Sequence, residues 1–124
     1  MSATHNVLYV EDDPDSIVLV ETALENLPQV NLVTATTGAE GIKLAQDSEL
    51  HLIILDINLP DINGYEILKH LKESSVAFKV PIIAYSSQAM ERQKGLEAGF
   101  TDYLVKPMEQ NKFVSVVKNL LAIQ

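Results

Sequence analysis

Acidic, hydroxyl and amine side chains follow short apolar runs of this sequence at four places. In chain order they are Glu11 and Asp12, Asp56, Ser86, and Lys106. If the apolar runs form parallel strands, their carboxyl ends meet at one edge of the sheet, where open α/β sheets bind ligands. We therefore expect these side chains to converge on a single pocket that combines carboxylates with a hydroxyl and an ammonium group.

Several carboxylates in one pocket repel one another unless they take up protons or hold a cation. An all-oxygen site suits Mg²⁺, which keeps several waters and uses few carboxylates together with a phosphate. A carboxylate can also act as a nucleophile and form an aspartyl phosphate. Asp56 is placed centrally for this, and Lys106 and Ser86 would stabilise the phosphoryl group during transfer. The residues predict Mg²⁺-dependent phosphorylation of Asp56.

Short apolar runs alternate with segments of helical periodicity along the chain. The runs cover residues 7–10, 32–35, 52–55, 82–85 and 103–105, and most lack polar alternation. Such runs are typical of strands buried on both faces. This alternation predicts a doubly wound (βα)₅ parallel sheet with helices on both faces. Segment 89–98 is the weakest predicted helix, because it has little apolar stripe and Gly95 interrupts it.

The composition limits the classes of function. With 124 residues and 47% hydrophobic content, the chain is expected to form one domain, residues 1–124. It has no cysteine, so thiolate chemistry is excluded. A net charge of −8 with nine Lys and Arg argues against direct nucleic-acid binding. No apolar stretch approaches the roughly 20 residues that span a bilayer, so we expect a cytoplasmic protein without a membrane partner.

Four segments together resemble the receiver domains of two-component response regulators, over residues 7 to about 121. They are 10–13 (VEDD), 55–64 (LDINLPDING), 83–86 (IAYS) and 102–107 (DYLVKP). Taken singly, an acid after a strand is more often a helix-capping charge than a metal ligand, and a lysine before proline is usually solvated. The joint occurrence at four successive strand ends favours the functional interpretation.

The resemblance implies a three-layer α/β/α, flavodoxin-like sheet with strand order 2-1-3-4-5. It implies that Asp56 is the phosphoacceptor and that Asp12 binds Mg²⁺ directly. Glu11 would act largely through water, and the backbone carbonyl of Asn58 would be a further ligand. Lys106 would bind the phosphoryl group. Asp61 is interpreted only as a residue of the turn.

The resemblance also implies a switch. Ser86 would move toward the phosphoryl group and Tyr103 would turn inward, reshaping the face made by the 89–98 helix, the fifth strand and the 110–121 helix. The resemblance further implies that Asn58 and Gln88 occupy positions that tune the lifetime of the phosphoryl group. The bond between Lys106 and Pro107 is expected to be cis.

The expected phosphodonor is a sensor histidine kinase or a phosphotransfer protein, and the expected output is binding of a downstream protein through the reshaped face. Such a chain catalyses only its own phosphorylation and slow dephosphorylation, and no output domain is expected. One alternative is a receiver module excised from a hybrid histidine kinase or a larger regulator. A small aspartyl phosphatase is disfavoured because Asn58 stands where it would need a second acid, and a flavodoxin-like cofactor carrier because the first strand ends in acids.

The remaining candidates are given ordinary roles. The three histidines lie apart from one another and from any cysteine, so none is interpreted as a metal ligand. Two tyrosines are interpreted mainly as packing residues. The histidines are His5, His51 and His70, and the tyrosines are Tyr9 and Tyr65.

Overall fold

The computed structural model describes residues 4–74 and 80–123 and contains five strands that alternate with helices. The strands are β1 (His5–Val10), β2 (Val30–Ala35), β3 (Leu52–Leu55), β4 (Ile82–Ser86) and β5 (Asp102–Val105). The helices are α1 (Pro14–Leu24), α2 (Gly38–Asp47), α3 (Gly64–Glu73), α4 (Arg92–Ala98) and α5 (Gln110–Leu121), and a 3₁₀ turn (Ala89–Glu91) directly precedes α4.

The five strands form one parallel sheet in the order β2-β1-β3-β4-β5, which confirms the predicted topology. Alternate side chains of the central strands enter two separate apolar layers. Leu8 and Val10 pack on the side of α2 and α3, whereas Val7 and Tyr9 pack on the side of α1 and α5. Burial on both faces explains why these strands read as continuous apolar runs.

The starts of three helices follow from local sequence. Asp13, Thr37 and Asn63 are the N-caps of α1, α2 and α3, and each side chain accepts a hydrogen bond from a backbone N–H in the first turn. These short polar side chains satisfy amides that have no partner within the helix. Each cap therefore sets the residue at which its helix begins.

Helix α4 is short and contributes little to the core, as its sequence predicts. Of its residues, only Gly95 is buried. Polar contacts from α3 hold this part of the chain: the ammonium of Lys72 donates to the carbonyl of Ala98, and the hydroxyl of Tyr65 donates to Glu91 Oε1 at 3.0 Å. Among the described residues, no helix is long and apolar enough to cross a membrane.

Candidate phosphoacceptor site

The register of the sheet brings the predicted residues together at one edge. Val10 pairs with Leu55, so Glu11 and Asp56 follow on neighbouring strands. The backbone N–H of Asp56 continues the ladder by donating to the Val10 carbonyl at 3.0 Å. On the other side, the N–H of Lys106 donates to the Ser86 carbonyl at 2.8 Å. All of these residues therefore lie at the carboxyl ends of the strands, as expected.

Lys106 reaches back over this edge to two of the carboxylates. Its ammonium donates a hydrogen bond to Glu11 Oε1 and lies 3.6 Å from Asp56 Oδ1. The Lys106–Pro107 peptide bond is cis, the isomer expected from the sequence. The ammonium also lies 5.6 Å from the centre of the Tyr85 ring. The side chain is only 17% exposed, so its charge acts where solvent screening is weak.

The carboxylates of Glu11, Asp12 and Asp56 form a compact group whose ligand oxygens all lie within 4.8 Å of one another. Glu11 and Asp56 are buried, whereas Asp12 is exposed. Among the residues that the structure describes, Lys106 is the lysine that pairs with this group, through Glu11 and Asp56, so three ionised carboxylates would outnumber the positive charge beside them. Oxygen donors that converge in this way suit a hard divalent cation such as Mg²⁺, and the residues present fit that ion.

Burial and the neighbouring Glu11 both raise the pKa of the Asp56 carboxyl. Burial is the largest cause that raises the pKa of this carboxyl, from 3.8 to about 7, and the hydrogen bond and negative charge of Glu11 raise it further. The positive charge of Lys106 and the backbone N–H of Asn58 oppose the rise. Proton uptake and cation binding relieve the same repulsion, which is consistent with a cation site.

Tyr9 has a role here that sequence reasoning missed. It is fully buried, as a packing residue would be, but its hydroxyl also donates to Glu11 Oε1 at 2.7 Å. Burial and the adjacent Glu11 raise the pKa of Tyr9 above its usual range, so the phenol stays protonated. The signal was the two-residue spacing, because residues i and i+2 of a strand point to the same face.

The predicted switch residues are packed around the loop that follows β4. Ser86 is completely buried, and its Oγ accepts from the Gln88 N–H at 3.2 Å. Tyr103 is also completely buried, and its hydroxyl donates to the Gln88 carbonyl at 2.6 Å. Tyr103 thus lies inward in this structure, with its ring close to Gly95, and its movement on phosphorylation stays a prediction.

The other residues singled out from the sequence lie at the rim of the site or away from it. The side chains of Asn58 and Gln88 are exposed. Asp61 does more than shape a turn, since its carboxylate accepts hydrogen bonds from the start of α2. His5 and His51 stack edge to face beside the opposite end of β1, with ring centroids 5.5 Å apart.

Comparison with known proteins agrees with this geometry. The family model described as the response regulator receiver domain matches residues 7–118. The chain is 36% identical over 123 residues to the probable transcriptional regulator ycf29 of Pyropia yezoensis, covering 96% of this chain and 54% of that protein. The chain spans about half the length of the curated relatives it matches.

Two solved structures are similar over nearly their whole length. One is a putative response regulator from Chloroflexus aurantiacus, with 30% identity, a TM-score of 0.87 and coverage of 96% of this chain and 98% of that one. The other is the receiver domain of the Pseudomonas aeruginosa sensor histidine kinase PA1611, described with magnesium in its active site cleft (26% identity, TM-score 0.87, coverage 97% and 99%). With a family match over almost all of its residues, this chain belongs to the response regulator receiver domains of two-component signalling.

Proposed function

We propose that the chain is a phosphoacceptor switch in which Asp56 receives a phosphoryl group from a phosphohistidine. The donor is a sensor histidine kinase or a phosphotransfer protein. The observation that carries the proposal is the position of Asp56, at the end of the central strand β3, within 3.6 Å of the Lys106 ammonium and beside two further acids. No catalysis beyond the chain's own phosphorylation and slow dephosphorylation is assigned to it.

Mg²⁺ is the cofactor that this group of residues fits. Asp12 and Asp56 would bind it through carboxylate oxygens, Asn58 through its backbone carbonyl, and Glu11 through water. When bound, the ion supplies positive charge that offsets the carboxylates and the oxygens of the incoming phosphate.

The residues of the chain carry out the transfer itself. An Asp56 carboxylate oxygen attacks phosphorus, the bond from phosphorus to the donor nitrogen breaks, and its electron pair stays on the donor imidazole. Lys106 and the Ser86 hydroxyl bind oxygens of the transferring phosphoryl group. Because the site is buried, they stabilise the negative charge on these oxygens during transfer. In dephosphorylation, water attacks phosphorus and releases phosphate, and the Asp56 carboxylate is regenerated.

Phosphorylation by acetyl phosphate tests this proposal. The wild-type chain, incubated with acetyl phosphate and Mg²⁺, should gain one phosphoryl group that peptide mapping after borohydride trapping places on Asp56. Asp56→Asn should gain none. Asp47→Asn, which changes an exposed aspartate at the end of α2, is the matched control and should behave as wild type. A modification of Asp56→Asn at wild-type yield would overturn the assignment.

The output is binding of a downstream protein through the face made by α4, β5 and α5. Charged side chains lie exposed on this face, among them Arg92, Lys94 and Lys112. The adjoining 3₁₀ turn presents Met90, which is 95% exposed. Because Ser86 and Tyr103 both contact the loop before this turn, a change at the phosphoryl site reaches the face through adjacent contacts. The same residues would serve equally in a module of a larger regulator or of a hybrid kinase.

A further inference from the structure

The loop between β3 and α3 carries Asn58 and is fixed at its base. The Gly64 N–H donates to the Ile57 carbonyl at 2.8 Å and so closes the loop on itself. A Cβ at Gly64 would lie 2.8 Å from the Asp56 carbonyl oxygen and 3.0 Å from Ile57 Cα. The two ends of the loop therefore approach each other more closely than any residue with a side chain would allow.

The tip of the same loop is fixed to a different element. Asp61 Oδ1 accepts from the Gly38 N–H at 2.8 Å, and Oδ2 accepts from the Ala39 N–H at 2.9 Å. Ile62 packs against the same turn, since a Cβ at Gly38 would lie 2.4 Å from Ile62 Cγ1. The carboxylate thus binds the first turn of α2 with both oxygens.

The contact is distinct from the helix's own cap. Thr37 Oγ1, the N-cap of α2, accepts from the Glu40 N–H at 3.2 Å, so Thr37 and Asp61 use different amides. A carboxylate at a helix N-terminus is favoured by charge-assisted hydrogen bonds and by the helix dipole. These hydrogen bonds also lower the pKa of Asp61, so it is ionised at neutral pH.

We propose that Asp61 is a positioning residue, which anchors the loop on α2 and thereby holds the Asn58 backbone carbonyl in place for Mg²⁺. Asn58 lies between the closure at Ile57 and the anchor at Asp61, so fixing both points leaves its peptide few alternative orientations. A preorganised carbonyl binds the ion without first losing conformational freedom. The inference rests on the proposed function, because it assumes the metal site that phosphorylation of Asp56 requires.

Mg²⁺ titration followed by amide NMR tests this inference with two substitutions. Asp61→Ala should weaken Mg²⁺ binding by about tenfold, the scale on which residues that orient metal ligands act. Asp61 is exposed, so truncation leaves no cavity and the variant is expected to fold. Asp61→Asn keeps one acceptor oxygen and should recover part of the affinity. With a chelator present, the heteronuclear NOE of residues 58, 59, 61 and 62 should fall in Asp61→Ala, which would show that the loop becomes more mobile even when no metal is bound.

Thr37→Ala is the matched control, because it removes the other cap of α2 and leaves the loop anchor in place. It should lower the melting temperature yet keep wild-type Mg²⁺ affinity. Wild-type affinity in Asp61→Ala, or an equal loss in Thr37→Ala, would overturn the inference while leaving the proposed function intact. If wild type itself neither binds Mg²⁺ nor accepts a phosphoryl group from acetyl phosphate, the proposed function fails, and this inference fails with it.

Discussion

The hydroxyl of Tyr9 donates a 2.7 Å hydrogen bond to Glu11, and the two residues are 0% and 1% exposed. Glu11 also accepts hydrogen bonds from the Lys106 ammonium and, at 3.3 Å, from the backbone N–H of Asp13. A buried carboxylate of this kind is tolerated because donors surround it. Tyr9 therefore supports the acidic side of the site from within the core.

Tyr9→Phe should destabilise the fold by about 1–3 kcal/mol, because it leaves a buried carboxylate oxygen with one donor fewer. Tyr65→Phe provides the comparison, since it removes a similar hydroxyl-to-carboxylate hydrogen bond, to Glu91, in a more exposed setting. It should cost less than about 1 kcal/mol. Urea unfolding would measure the free energy of unfolding of both variants, provided that the m-values are unchanged. Equal losses of stability in the two variants would show that burial of Glu11 does not matter.

Substitutions of Asp12 and Glu11, the two acids that follow β1, should differ in their effects on Mg²⁺ binding and on stability. Asp12→Ala removes the exposed carboxylate that is proposed to bind Mg²⁺ directly, so it should abolish Mg²⁺ binding with little change in melting temperature. Glu11→Gln keeps the side-chain shape inside the core, so it should only weaken Mg²⁺ binding, while the lost pairing with Lys106 lowers the melting temperature. Calorimetric titration and thermal unfolding would decide, and unchanged affinity in Asp12→Ala would remove the proposed metal site.

The raised pKa of Asp56 predicts a pH-dependent stability when metal is chelated. Asp56 has a pKa of about 7 in the folded chain and an ordinary value of 3.8. Between about pH 4 and pH 7, Asp56 is therefore ionised in the unfolded chain but still mostly protonated in the folded chain. The stability present at low pH is therefore lost as the pH rises through this window. Asp56→Asn does not titrate there.

Relative to wild type, Asp56→Asn should therefore gain more than about 1 kcal/mol of stability between about pH 5 and pH 8, since one pKa unit corresponds to about 1.4 kcal/mol. Urea unfolding of both proteins in a chelator provides the measurement. Adding Mg²⁺ at the higher pH should stabilise wild type and reduce the difference. A stability difference that stays constant with pH would contradict the raised pKa.

Most of the fold could be predicted from the sequence because its signals are local. Runs such as 52–55 are buried on both faces and therefore carry no polar alternation, and caps such as Thr37 and Asn63 mark the helix starts. Strand order followed from family resemblance rather than from these signals. The convergence of Asp56 with Lys106 followed from the rule that sites form at the carboxyl ends of parallel strands.

Contacts across the fold could not be predicted in the same way. Asp61 lies 23 residues from Gly38 in sequence, and its identity as a turn residue gave no indication of its partner. The buried position of Tyr103 depends on a close fit against Gly95, which periodicity does not encode. Both depend on how separate elements pack, and that information is spread over many side chains.

Phosphoryl mimicry should reveal the route from the site to the output face. With beryllofluoride and Mg²⁺, amide signals of residues 89–110 should shift in wild type. Ser86→Ala should attenuate these shifts while largely retaining binding of the mimic, because its missing hydroxyl no longer links the site to the Gln88 N–H. Partner affinity should change by ~5–150-fold, the usual range of coupling free energies. Shifts confined to the site in wild type would exclude this route.

Gly95 faces the Tyr103 ring so closely that an added methyl group has no room. A Cβ at Gly95 would lie 2.4 Å from Tyr103 Cδ2. Gly95→Ala should therefore cost about 1–3 kcal/mol of overpacking, against a gain of about 1 kcal/mol in helix propensity.

A double-mutant cycle with Tyr103→Leu separates the two effects, because the smaller side chain removes the ring from the path of the methyl group. Gly95→Ala should destabilise the wild-type background and be neutral or stabilising in the Tyr103→Leu background, which gives a coupling energy of about 1–3 kcal/mol. In Gly95→Ala alone, the displaced ring should also lose its hydrogen bond to the Gln88 carbonyl, and the amide signals of residues 87–89 should report it. If Gly95→Ala has the same effect on stability in both backgrounds, α4 yields to the methyl group instead of the ring, and Tyr103 is not held inward by contact with Gly95.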